Sequence, residues 1–410
     1  MYMKNFYYFL TLGYLIFTFS GCNTEPPEPE RTPLLLISID GLKPGDVAAT
    51  ETPTLDLLAS QGAMAESMIP VFPTSTFPNH YSLVTGLYTN STGVISNTMY
   101  DPEMERWFRL SDRSAVSDGR WYGGEPIWVT AEKNDIRTAT MFWPGSEAEI
   151  MGIRPTRWYQ YDGDLPYEAR VDSVLSWMSL KDETRPEFMT LYFSKVDSYG
   201  HRYGAGSDSV LSAIRYVDGI LGYMVDELKR SEFWPEIDII ITSDHGMMDL
   251  SENRLIFFDD LIDQDLVNVI NWSPVVMIQP VEGKKEEVYE ALKSQEENYT
   301  VYYKEDVPER LHFGKHRRVP DLVMIADLGW TVTNRSFYER RGIIAGTHGF
   351  DNEHPEMHAF FMASGPSFKN ETIIEPFQSI HIYELMAHLL RVEPAPNDGN
   401  IEVLRKILND

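Results

Sequence analysis

The chain has 410 residues, with 62 acidic against 35 basic side chains and a net charge of −27. No basic stripe is present to neutralise a phosphate backbone, which argues against nucleic acid as a partner. Cys22 is the only cysteine, so no intramolecular disulfide can form, and a hydrophobic content of 43% supplies a substantial core.

Lys4 gives a short positive stretch, and Phe6 to Phe19 is an apolar run too short for a comfortable membrane span, as in a signal peptide over 1–21. Its end, Phe19-Ser20-Gly21-Cys22, resembles the lipobox of a bacterial lipoprotein. Cleavage before Cys22 and diacylation of its thiol would make an exported, membrane-anchored protein facing the periplasm or the cell surface. An ordinary signal peptide with a chance cysteine is the alternative. Residues 22–31 are rich in Pro and Glu and read as a stiff polar tether. One folded region is expected over 32–410.

Leu34 to Ile39 is continuously apolar, as a strand buried on both faces of a parallel sheet must be. Similar runs recur at Arg137 to Phe142, Phe188 to Phe193 and Ile237 to Thr242. Helical patterns lie between them, at Thr54 to Gln61, Tyr167 to Met178 and Ser209 to Lys229. In the last, Leu211, Ile214, Val217, Asp218, Leu221 and Val225 keep a 3.6-residue spacing. Alternating strands and helices predict an α/β fold: a mixed, mostly parallel sheet with helices on both faces. Residues 267–318 read as a small α+β insertion, with short strands, the helix Lys284 to Lys293 and an alternating strand; Asp321 to Ile325 is then expected to resume the central sheet. Trp107 to Arg120 and Trp143 to Asp164 are loop-like and aromatic, and are read as walls of a substrate pocket.

The chemistry concentrates just past the buried strands. Asp40, Asp197 and Asp244 each follow one, at the sheet edge where ligands of α/β proteins bind. A lone Asp there usually turns the chain or caps a helix. Three converging carboxylates, two with histidines nearby (His201 and His245), instead call for cations. His348 adds a third imidazole. Mixed His/Asp donors without Cys suit zinc or another divalent first-row ion. Thr76 precedes Phe77-Pro78-Asn79-His80, where Pro78 suits the first turn of a helix running to about Thr85. Its hydroxyl is either an N-cap or a nucleophile placed in the positive field of a helix terminus. Asn97 is either a turn residue or a donor to a phosphate oxygen.

At these residues the chain resembles the catalytic domain of the nucleotide pyrophosphatase/phosphodiesterase family, in the alkaline phosphatase superfamily. The matching stretches are LLLISIDGL, FPTSTFPNHYSLVTGLY, GVISN, FWPGSE, YFSKVDSYGH, ITSDHGM, GTHGFDN and EPAPNDG, from Leu34 to Gly399. The resemblance implies two zinc ions, one held by Asp197, His201 and His348, the other by Asp40, Asp244, His245 and Thr76. It implies that Thr76 attacks phosphorus and forms a covalent threonyl-nucleotide, and that Asn97 takes an equatorial oxygen. Phe77 and Tyr161 would sandwich a base, with Leu110 and Tyr192 lining the same pocket. Ser75 stands where nucleotide-cleaving animal members often carry Lys, so no phosphate contact is carried over for it.

Three functions follow. The first is hydrolysis of nucleotide diesters and pyrophosphates to nucleoside monophosphates. The second keeps the site but takes a glycerophosphodiester or lysophospholipid head group. The third is an inactive surface binding protein, which seven intact metal and nucleophile positions argue against. A phosphomonoesterase would need a further cation for the dianion, and none is identified.

Overall fold

Three apolar runs become adjacent strands because each can be buried on both sides. In the computed structural model, which describes residues 1–2 and 31–409, they are β1 (Leu34–Ile39), β2 (Phe188–Phe193) and β3 (Asp238–Thr242). β1 pairs in parallel with both others, placing Ile39 beside Phe193 and Ser38 beside Thr242. Leu34 and Leu36 enter one apolar core, and Leu35, Ile37 and Ile39 enter the other. Thr138–Met141 and Arg157–Trp158 extend the sheet in parallel beyond β2. Phe361–Ser364 runs antiparallel between β3 and Gly62–Ala65, and Thr372–Ile374 closes that edge. The sheet is mixed and mostly parallel, as expected.

The helices follow their patterns. α1 spans Thr76–Thr85, α2 Lys195–Tyr203, and α3 Asp208–Lys229. α3 buries Ile214, Val217, Leu221 and Val225 against the sheet. Its Asp218, also buried, accepts from the N–H groups of Thr54 (3.1 Å) and Leu55 (2.9 Å) and so caps the helix Pro53–Ser60 from outside. Ser75, not Thr76, is the residue before the first turn of α1, and Thr76 is its first helical residue.

One expectation is corrected. Leu322–Ala326 does not rejoin the central sheet. It pairs with Val275–Pro280 and Tyr299–Tyr303 in a separate four-stranded antiparallel sheet that also contains Val267–Asn271. Leu322 and Met324 face a small core with Val288 and Leu292 of the helix Lys285–Lys293, while Val323 faces the main core. An inner strand covered on both faces carries the same unbroken apolar run whichever sheet it joins.

The expected signal segment, Cys22 and the Pro/Glu tether lie outside the described residues, apart from Met1, Tyr2 and Arg31. No described helix is long and apolar enough to cross a membrane.

Candidate active site

Because β3, β1 and β2 are neighbours and parallel, their C-terminal ends deliver Asp244, Asp40 and Asp197 to one edge of the sheet. The Asp40 N–H donates to Phe193 O (2.9 Å), and the Asp197 N–H donates to Asp40 O (3.0 Å), which stitches the β1 end to the start of α2. Gly41 adopts φ +71, and a Cβ there would lie 3.0 Å from the Asp197 Cα, so this approach requires glycine. Gly246 is required for a different reason: an added Cβ there would meet Glu356 O at 2.1 Å.

Three imidazoles complete the cluster. The Nδ1–H groups of His201, His245 and His348 each donate to a backbone carbonyl: Gly346 O (2.9 Å), Gly246 O (2.9 Å) and Thr74 O (2.8 Å). With Nδ1 engaged in this way, each Nε2 faces the carboxylates. His245 Nε2 lies 3.0 Å from Asp244 Oδ2 and 3.5 Å from Asp40 Oδ1. His201 Nε2 and His348 Nε2 approach Asp197 Oδ1 to 3.3 Å and 3.6 Å. Asp40 Oδ1, Asp197 Oδ1 and Asp244 Oδ2 are buried with no hydrogen-bond partner. Carboxylate oxygens and imidazole nitrogens crowded together in this way can form the coordination shell of a cation. Two such donor groups are present among the described residues, Asp40/Asp244/His245 and Asp197/His245/His348, with His201 beside the second. The donor set therefore fits divalent metal.

The electrostatics agree. Burial, then the charges of Asp244 and Asp197, raise the Asp40 carboxyl well above its usual range. Burial also pushes Asp244 up, but His245 and His80 outweigh it and hold that carboxyl well below. Burial, then His245 and His201, push His348 far down, so it stays neutral and available as a ligand.

Thr76 Oγ1 sits 3.4 Å from His245 Nε2 at the start of α1. Asn97 accepts the Phe77 N–H through Oδ1 (2.9 Å), an arrangement that leaves its NH2 group as a donor. Both line a cavity of about 400 Å³ with Asp40, Asp197, His201 and His348. Phe77, Leu110, Tyr161 and Tyr192 line it too, and both aromatic segments supply walls, through Arg113 and Val116 on one side and Trp143 and Glu147 on the other. Phe77 packs edge-on against Phe108, and Tyr161 against Phe142.

Several contributors were not legible beforehand. Tyr192 does more than line the cavity: its buried hydroxyl donates to Asp40 Oδ2. His80 is buried between the Ser38 hydroxyl (2.7 Å), Thr76 O (2.9 Å) and Asp244 Oδ2 (3.3 Å). Thr74 binds the His348 strand at three points, through its carbonyl to His348 and through its hydroxyl to Gly349 N and Phe350 O. Only their membership of the motif segments hinted at these roles.

An alkaline-phosphatase-like sheet carrying a hydroxyl beside a double carboxylate–imidazole cluster defines a phosphoryl-transfer hydrolase. Comparison with known proteins narrows the class. Residues 34–351 match the type I phosphodiesterase / nucleotide pyrophosphatase family. Human ectonucleotide pyrophosphatase/phosphodiesterase family member 5 is 34% identical over 401 residues, covering 98% of this chain and 83% of its own. Human family member 1 is 38% identical over 402 residues, covering 94% of this chain and 43% of its own. An inactive form of murine ectonucleotide pyrophosphatase/phosphodiesterase 5, solved in complex with AMP, superposes with a TM-score of 0.88 at 34% identity, covering 92% of this chain and all of that one. The chain belongs to the type I phosphodiesterase / nucleotide pyrophosphatase family.

Proposed function

We propose that the protein hydrolyses nucleotide phosphodiester and pyrophosphate bonds to nucleoside monophosphates, with two zinc ions at the sheet edge and Thr76 as nucleophile. The observation that carries this reading is the position of Thr76 Oγ1, 3.4 Å from His245 Nε2 and on the wall of the cavity that Phe77 and Tyr161 share. Asp40, Asp244 and His245 would hold one ion with Thr76, and Asp197, His201 and His348 the other. Bound there, the ions lower the pKa of a coordinated hydroxyl and offset negative charge on a phosphate.

The chain's own residues supply the rest. Thr76 Oγ forms the bond to phosphorus as the bond to the leaving oxygen breaks on the opposite side, giving a threonyl-nucleotide. Water then cleaves that ester and restores the threonine. The Asn97 amide donates to an equatorial oxygen, held in place by the Phe77 N–H on its other end. A base between Phe77 and Tyr161 gains roughly 1–3 kcal/mol by stacking, with little preference among bases. The AMP in the murine relative supports a nucleotide over a lipid head group. The site would work outside the cell membrane if Cys22, beyond the described residues, is lipidated. In that case Cys22→Ser should release the protein to the soluble fraction.

The test is hydrolysis of the p-nitrophenyl ester of AMP beside p-nitrophenyl phosphate and p-nitrophenylphosphorylcholine, with and without chelator. Chelator-sensitive preference for the AMP ester is expected. Preference for the phosphocholine ester would keep the site and replace the substrate; activity that survives chelation would remove the metals from the reading.

A further inference from the structure

Arg170 stands near the N-terminus of the helix Tyr167–Met178 and is fully buried. Both facts count against a cation there, because a helix N-terminus disfavours positive charge and buried charges are ordinarily paired. No carboxylate forms an ion pair with it among the described residues; Asp162 offers it a main-chain carbonyl instead. Its guanidinium donates to four such carbonyls: Leu165 O from Nε (3.1 Å), Tyr192 O from Nη1 (2.9 Å), and Gly163 O (3.2 Å) and Asp162 O (3.5 Å) from Nη2. Its Cζ also stands over two rings, 4.5 Å from the centroid of Tyr167 and 5.0 Å from that of Phe142.

These partners surround one residue of the catalytic cavity. Tyr161 lies in the irregular stretch between the strand Arg157–Trp158 and the helix that carries Arg170, and it is 40% exposed. Its N–H donates to Glu147 Oε1 (3.0 Å). Its ring meets Phe142 and Tyr192 edge-on, with centroids 5.2 Å and 6.1 Å away. The same two residues touch Arg170, one through its ring and the other through its carbonyl. The remaining three carbonyls belong to Asp162, Gly163 and Leu165, in the segment that directly follows Tyr161. Phe142 holds φ +63, a left-handed conformation that a non-glycine residue adopts only where its surroundings enforce it. Phe142, Tyr161 and Tyr192 line the cavity, and Arg170 stands behind them.

We propose that Arg170 is a positioning residue for nucleotide recognition: it fixes the Tyr161 ring in the cavity shared with Phe77 and so sets how much the base contributes to binding. This rests on the proposed function, in which a base lies between Phe77 and Tyr161. A planar fork with several donors can hold four carbonyls in one arrangement, which a point charge on a flexible stem cannot. A half-exposed ring on an irregular segment gains most from such a brace, since a ring ordered beforehand costs less to stack upon. Arg170 acts only through the residues it holds. Because Tyr192 is one of them and its hydroxyl donates to Asp40, zinc content has to be followed beside binding.

The experiment compares two diesters with the same leaving group, the p-nitrophenyl ester of AMP and methyl p-nitrophenyl phosphate, which has no base. Arg170→Lys should raise KM for the AMP ester about tenfold with kcat within about threefold, and change kcat/KM for the methyl ester by no more than about twofold. Zinc content should match that of the unaltered protein. Arg170→Gln should show the same selectivity with a larger loss, so that the test stands if a buried ammonium prevents folding. In a Tyr161→Ala background, Arg170→Lys should cost the AMP ester no more than about twofold, because the ring it acts through is gone. Equal losses on both esters, no loss on either, or a tenfold loss that persists without Tyr161 would each overturn the positioning role and leave the proposed reaction intact. An unaltered protein that does not favour the AMP ester over the methyl ester would overturn the nucleotide reading itself, and this inference with it.

Discussion

Tyr192→Phe separates holding a ligand from touching a substrate. Tyr192 is 7% exposed, and its ring packs against His80 and Tyr161, so Phe fills the same volume without opening a cavity. What is lost is one O–H donated to Asp40 Oδ2. Asp40 is almost wholly buried, so water cannot replace that donor. A hydrogen bond to a charged group is worth about 1.5–3 kcal/mol, which corresponds to roughly 10–100-fold in affinity for whatever Asp40 coordinates. The expected result is a metal dissociation constant weakened by that factor for one of two ions, measured by competition with a chromophoric chelator. Turnover of the AMP ester at saturating zinc should stay within about threefold. Unchanged metal affinity with a raised KM would refute the reasoning and return Tyr192 to a purely substrate-lining role.

Thr76→Ala should lower turnover by about a thousandfold or more while zinc content, read by elemental analysis, stays near that of the unaltered protein. Asn97→Ala should cost about a hundredfold in kcat, the usual loss for an oxyanion donor, and its zinc content should be unchanged. Asp40→Asn should abolish activity yet raise the melting temperature of the chelated protein at neutral pH, because it removes a carboxyl that burial and Asp244 hold well above its usual pKa and presents an NH2 donor to Asp244 and His245. Away from the site, burial and then Arg318 push the His316 imidazole from 6.5 down to about 4, and its Nδ1 accepts the Arg318 N–H (3.2 Å). A histidine depressed in the fold contributes stability above pH 6.5 and loses it as pH falls towards 4. The full shift caps this at about 3.4 kcal/mol, and partial exposure reduces it to about 2. The melting temperature should therefore fall by a few degrees across that window, and His316→Gln should flatten the fall.

What could be read from the sequence was what repeats or what chemistry demands. β1 and β2 were legible to the residue because an unbroken apolar run has few other uses, and the edge position of the three aspartates followed from them. The strand Leu322–Ala326 was legible as a strand but not as to its sheet, since burial on both faces leaves the same pattern in either. The supporting contacts of the site were not legible beyond the motif segments that contain them. Thr74 and His348 lie 274 positions apart, as Tyr192 and Asp40 lie 152, and no periodicity links a hydroxyl to a partner at that distance. His80 illustrates the limit most clearly. In sequence it is one more polar residue in a helical turn, and only the fold brings its ring between Ser38, Thr76 and Asp244.

The cluster also shows which way the balance between stability and function was resolved. Parallel neighbouring strands could end in almost any small polar residue, yet all three end near carboxylates within reach of one another. Each carboxylate loses hydration on burial, and Asp40 and Asp197 are both held above their usual pKa as a result. The Nδ1–H groups of the three imidazoles are committed to backbone carbonyls, and although His245 and His80 draw Asp244 well below its usual range, Asp40 and Asp197 stay above theirs. Those commitments turn the opposite nitrogens towards the carboxylates. The backbone acceptors of Gly246, Gly346 and Thr74 thus select for cation binding at the expense of the metal-free fold. Metal occupancy should accordingly govern stability and activity together.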